Sequence, residues 1–154
     1  CVQVAKDSSE RSIASRLAAT EARRFLASLN YPEDRLDEVV HAVEAHSYSA
    51  GIEPRTREAA VVQDADRLDA LGAVGVARCL LTGGALGSAL YHPNDPFCAD
   101  REPDDKAWMV DHFYAKLFRL PATMRTKAGR REAERRVAVM ERWLEALGQE
   151  IGEW

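Results

Sequence analysis

Three carboxylates fall within six residues of an otherwise apolar stretch. They lie in Gln63-Asp64-Ala65-Asp66-Arg67-Leu68-Asp69, flanked by Ala59, Val61, Val62, Leu71, Val74 and Val76. A carboxylate among apolar side chains is costly unless it is paired, hydrogen-bonded or bound to a cation. On a helix, Asp66 and Asp69 share a face with Val62 and Ala73, and Asp64 points roughly opposite Asp66. At least one acid is therefore expected to face inward. Two chemistries could compensate it: an ion pair of Asp66 or Asp69 with an arginine such as Arg67, Arg78 or Arg23, or oxygen ligation of a metal ion.

Two further groups have side chains suited to chemistry. His46 sits three residues after Val43 and continues an apolar face, as either a satisfied core histidine or a site residue. His41 falls on the flank and reads as surface. His112 and Lys116 are four residues apart and share a helical face. Two cationic groups side by side suit a phosphate by charge and hydrogen bonding. The alternative is an ordinary amphipathic helix with an exposed lysine. The basic run from Arg125 to Arg136 is interrupted by Glu132 and Glu134 and reads as a solvated helix face. Gly83-Gly84-Ala85-Leu86-Gly87 lacks the Lys-Ser/Thr of a P-loop. There is no Gly-x-Ser-x-Gly elbow, and neither Cys79 nor Cys98 has a base beside it in sequence.

The elements that must carry these residues are helical. Period-3.6 apolar positions predict helices over 12–29, with Ile13, Leu17, Phe25, Leu26 and Leu29 as a loosely periodic stripe, over 33–46 and, from a Thr56 cap, to about Leu81. The third is apolar on nearly all sides and is expected to be central. Gly72 and Gly75 within it imply close backbone packing, and Gly83-Gly84 is expected to end it. Residues 85–103 contain Pro93, Pro96 and Pro103 and read as irregular and exposed. A fourth helix is predicted over Asp105–Leu120. A fifth starts near Thr126 and runs toward Gln149, with Val137, Met140, Trp143, Leu144, Leu147 and Ile151 apolar. No segment alternates with period two. The predicted fold class is all-α, an irregular helical bundle in one domain spanning 1–154.

Bulk composition narrows the function. The chain has 154 residues, 46% hydrophobic and 30% charged, with a formal net charge of −4. That suits a globular chain with a real core and argues against a general nucleic-acid binder, which is usually basic. No apolar run reaches the roughly 20 residues of a membrane helix. Three cysteines without regular spacing fit neither a disulfide framework nor a zinc knuckle, which points to a reducing cytoplasm. Residues 1–12 lack the apolar core of a signal peptide. Position 1 is Cys, so the natural product is expected to begin further upstream.

Three segments together resemble one family. "HAVEAHSYSAG", "VVQDADRLDALGAVGVARCLLTGGALG" and "DHFYAKLFRLPATMRTKAGRREA" are similar, in the same order, to the small bacterial YedJ/YpgQ-like branch of the HD-domain metal-dependent phosphohydrolases. The resemblance implies a helical HD-type domain. It also implies a divalent metal (Mn²⁺, Mg²⁺ or another first-row transition ion) held by a His…His-Asp…Asp set. The last aspartate of that set stands in an Ala-Asp-x-Leu pattern, here Ala65-Asp66-Arg67-Leu68, which makes Asp66 the implied ligand and Asp64 the reserve. The earlier His and the His-Asp pair do not occur in the sequence, and the resemblance places them upstream of Cys1. It implies hydrolysis of a nucleotide or similar phosphate ester or pyrophosphate. Asp66 and His46 would be catalytic, with Arg67, His112 and Lys116 on the substrate phosphate. The alternative is a non-catalytic HD module that binds a nucleotide or a protein partner. A small-molecule phosphate is the expected partner, nucleic acid and membrane are not expected, and a homodimer is left open.

Overall fold

Capping chemistry sets several of the helix boundaries. The computed structural model describes residues 13–152, and the chain divides into two compact units, Cys1–Asp66 and Arg67–Trp154. Helix α1 spans Ala14–Ser28 and α2 spans Glu33–Ala45. Asn30 takes a left-handed φ of 55°. The amides of Asn30 and Tyr31 turn back to the carbonyls of Ala27 and Leu26, both at 3.1 Å. This pattern satisfies carbonyls that have no partner within the helix. Pro32 then precedes α2, whose first turn carries Glu33 and Asp34 against the positive end of the helix dipole. A short 3₁₀ turn, Tyr48–Ala50, leads to α3, Arg57–Leu68. Thr56 starts α3 as expected, its hydroxyl accepting from Ala59 N at 3.1 Å.

In the first unit, α1 packs on α2 through small residues. Ser15 and Ala19 are buried, whereas Ile13, Leu17, Phe25 and Leu29 are exposed. The apolar stripe read on this helix is thus mostly its outer face. The inner face is small and permits close approach of the two helices.

The second unit corrects the expectation of one long central helix to Leu81. The helix stops at Leu68 and α4 begins at Gly72, running to Leu86. Gly72 has a φ of 73°, a left-handed conformation that side chains strain to adopt and that breaks the helix. Gly75 does mark a close approach: a Cβ there would lie 2.3 Å from the Ala70 carbonyl oxygen. Gly83-Gly84 does not end the helix. A Cβ at Gly83 would lie 2.4 Å from Met109 Cγ, so this glycine admits a neighbouring side chain, and Gly87 at φ 79° supplies the stop. The all-round burial expected of this segment is also not found, since Val61, Val62, Val74 and Leu81 are exposed.

The predicted fourth helix is another correction. Residues 105–110 form turns, α5 covers only Asp111–Ala115, and a 3₁₀ segment, Leu117–Thr123, contains Pro121. The 85–103 segment is irregular as predicted but is not simply exposed. Ala89 pairs with Trp108 in an isolated parallel bridge, and Tyr91 and Phe97 pack against the core. Helix α6, Lys127–Ile151, agrees with the sequence reading. Thr126 caps it through Gly129 N at 2.9 Å. Its Ala133, Met140 and Leu144 join Leu71, Val76, Val110, Phe113, Leu117, Leu120 and Met124 in one core cluster. Phe113 stacks on Trp143 with ring centroids 5.6 Å apart. Among the described residues there is no strand, and no single helix is long and apolar enough to cross a membrane.

Candidate functional site

In the first unit, Gln63 brings the acidic segment of α3 beside the end of α2. It is 1% exposed, and its amide nitrogen donates to the carbonyls of Ala45 at 2.7 Å and Ile52 at 3.2 Å. Ala45 is the last residue of α2, so its carbonyl has no partner within the helix. The next residue in each strand of this clamp is a predicted site residue, Asp64 on α3 and His46 after α2. Asp64 is the inward acid, 3% exposed, while Asp66 is exposed. The burial argument that drew attention to Asp66 therefore applies to Asp64. His46 Nδ1 lies 2.5 Å from the Val43 carbonyl oxygen. A carbonyl can only accept, so Nδ1 carries the hydrogen. Nε2 is then the atom available to a ligand when the ring is neutral.

His41 is a correction. It was read as surface but is 6% exposed, and its Nε2 accepts from Arg55 N at 2.9 Å. Its flank position on α2 meets the returning 47–56 segment, which the helix periodicity could not show.

In the second unit, Arg67 is buried and donates through Nη1 to the Thr123 carbonyl. Asp69 pairs with Arg78, and both are well exposed. This is the ion-pair alternative realised for one of the three acids. Arg23, the other arginine considered distant in sequence, pairs instead with Asp37. His112 is held by Asp105, with Nδ1 2.8 Å from Oδ2. Lys116 follows at the end of α5, its backbone N donating to the His112 carbonyl at 3.1 Å. The predicted pair thus lies one helical turn apart, although the helix around it is short.

Sequence reasoning missed the most buried charged group. Asp111 is 0% exposed. It accepts both Arg101 guanidinium nitrogens, Nη1 at 2.5 Å and Nη2 at 2.7 Å, and the backbone N of Asp104 at 2.7 Å. Burial pushes this carboxyl up. Hydrogen bonds from Arg101, the Asp104 amide and the Cys98 thiol outweigh burial and hold it below the usual carboxylate range. The Cys98 thiol is pushed up to about 11, by burial first and then by Asp111. A signal did exist, because Asp111 stands between Trp108-Met109-Val110 and Phe113. The cost of burying a carboxylate applies there as it does at 64–69.

Comparison with known proteins fits this architecture. The HD domain family profile matches residues 4–71. The uncharacterized protein YpgQ of Bacillus subtilis is 34% identical over 140 residues, covering 88% of this chain and 62% of YpgQ. A Lactobacillus plantarum crystal structure is 30% identical with a TM-score of 0.68, covering 90% of this chain and 74% of that one. An HD-superfamily hydrolase from Bacillus thuringiensis is 33% identical with a TM-score of 0.69, covering 96% of this chain and 66% of that one. The chain belongs to the HD-domain superfamily. The crystal structure of YpgQ in complex with ADP is also similar, at 32% identity and a TM-score of 0.71, covering 97% of this chain and 66% of that one. This HD chain spans less than two thirds of the length of YpgQ. HD domains are generally metal-dependent. Among the described residues, however, no three His, Cys, Asp or Glu side chains come together to hold a metal. These residues do not by themselves make the His…His-Asp…Asp set.

Proposed function

We propose that the complete protein is a cytoplasmic phosphohydrolase acting on a nucleotide or a related phosphate ester or pyrophosphate. The observation that carries this reading is the ADP complex of YpgQ, a relative similar to 97% of this chain. HD membership supplies the reaction class. The chain's own residues are assigned as follows. His112 and Lys116, one turn apart, hold phosphate oxygens by charge-assisted hydrogen bonds. Arg67, buried on α3 next in sequence to Asp66, is assigned to the phosphate as well. His46 presents Nε2 to water or substrate. Asp66, or Asp64 in reserve, offers an oxygen to the divalent ion that the family requires.

The test is phosphate release from nucleotides by the complete gene product with Mn²⁺, Mg²⁺, Co²⁺ and Ni²⁺ in turn. Turnover with at least one ion is expected. No turnover with any of them, with nucleotide binding retained, leaves the alternative of a non-catalytic HD module. Asp66→Ala and Asp64→Ala separate the two acids. The ligand loses metal affinity on replacement. An acid serving only an internal partner instead loses about 3–5 kcal/mol of stability, the usual cost of stranding one member of a buried pair.

A further inference from the structure

The His112–Asp105 couple is positioned by a third carboxylate that touches the backbone on both sides of it. Asp105 lies in a turn organised by Asp104. The Asp104 carboxylate accepts the amides of Lys106 and Ala107 at 3.2 and 3.3 Å, and its carbonyl accepts those of Ala107 and Trp108. The Asp104 amide is itself tied to Asp111 Oδ2, and Asp111 immediately precedes His112. One fully buried carboxylate, clamped by Arg101, therefore fixes residue 104 beside Asp105 and residue 111 beside His112. A buried ion pair is weak evidence for stability in itself. This one sets the spacing of two half-exposed titratable side chains, which are 30% and 39% exposed.

We propose that His112 is the general acid of the reaction assigned above, with Asp105, Asp111 and Arg101 as positioning residues; the inference rests on that phosphohydrolase reading. Asp105 accepts from Nδ1, so the transferable proton of the imidazolium is on Nε2. Water oxygen bonds to phosphorus as the bond from phosphorus to the bridging oxygen breaks. The bridging oxygen keeps the electron pair and takes the Nε2 proton. The attacking water releases a proton to solvent, from which the imidazole is recharged. Lys116, which follows α5 four residues after His112, is assigned to the non-bridging oxygens meanwhile.

The test uses the complete gene product and two substrates: the nucleotide that the wild type turns over best, and a p-nitrophenyl ester of that nucleotide, whose phenolate leaves without needing a proton. His112→Gln should lower kcat about a hundredfold or more on the nucleotide. KM should rise by much less than kcat falls, since Lys116 keeps its hold on the phosphate, and the p-nitrophenyl ester should lose less than about tenfold in kcat. Asp105→Asn and Asp111→Asn should show the same leaving-group signature to a smaller degree. Equal losses on both substrates, or a raised KM with kcat unchanged, would overturn the acid role and leave His112 a phosphate anchor alone. Wild-type protein inactive on every substrate would instead sink the phosphohydrolase reading, and the acid role with it. Should Asp111→Asn fail to fold, His112→Gln decides alone, since its partly exposed side chain is not needed for the core.

Discussion

Replacing Asp111 by alanine tests whether the Arg101–Asp111 pair holds the second unit together. The substitution removes both Asp111 bonds from the Arg101 guanidinium, which keeps the Asp95 carboxylate and carbonyl as partners, and leaves the Asp104 amide without its acceptor. Hydrogen bonds to charged groups contribute roughly 1.5–3 kcal/mol each, and losing one partner of a buried pair costs about 3–5 kcal/mol. Arg101 is 20% exposed and keeps its pairing to Asp95, so the lower part of that range applies, about 3–4 kcal/mol. For a chain of this size each kcal/mol moves Tm by about 2–4 °C, which gives a fall of roughly 6–16 °C. Thermal unfolding followed by circular dichroism reads this directly. The double variant Arg101→Met/Asp111→Leu, which removes both charges, should recover more than half of the loss. The pH dependence has a defined sign. The folded carboxyl is held below its usual value, so its contribution is complete above about pH 5, beyond the unfolded-state value near 3.9, and is lost as pH falls through the folded value. The gap between wild type and Asp111→Asn should therefore be constant near neutrality and shrink in acid. A loss below about 1 kcal/mol for Asp111→Ala, with no coupling to Arg101, would refute the argument.

Two further outcomes follow from local chemistry. The Cys79 thiol is pushed up to about 11 by burial and then by the Asp105 charge, and Cys98 is raised to about the same value. Alkylation of both at pH 8 should run on the order of a hundredfold slower than for an unfolded-state thiol, as judged by mass spectrometry of quenched aliquots; reaction at the unfolded rate would contradict the burial. Gly72→Ala should cost about 1–2 kcal/mol in a urea titration, from its left-handed backbone, with Arg136 side-chain carbons 3.2–3.5 Å from the new Cβ adding to the strain. A neutral result would show that the break before α4 does not need the glycine.

The helical class, the start of α3 at Thr56 and the whole of α6 were legible because each rests on local signals, namely period, cap and turn residues. What failed was non-local. Gly72 and Gly83 both looked like packing or stopping residues. Only the path of the chain shows that the first turns left-handed and the second makes room for Met109. The stripe Ile13, Leu17, Phe25, Leu29 satisfies helical period, but period alone does not say which face meets α2. The same limit governed the acids. Spacing showed that Asp64 and Asp66 point apart, and the structure turns Asp64 inward. His41 depended on Arg55, and His112 on Asp105 across a turn that was read as helix. In both cases the partner comes from a segment without periodicity.

The Gln63 clamp has a direction that its size conceals. Both of its bonds are donated by one NH₂ group to carbonyl oxygens. Glutamate has nearly the same shape, and one nucleotide change in the codon produces it. Gln63→Glu would then point a carboxylate oxygen at two backbone oxygens in a place water does not reach. A conservative-looking allele at this position would be far more damaging than a truncation to alanine at most surface sites.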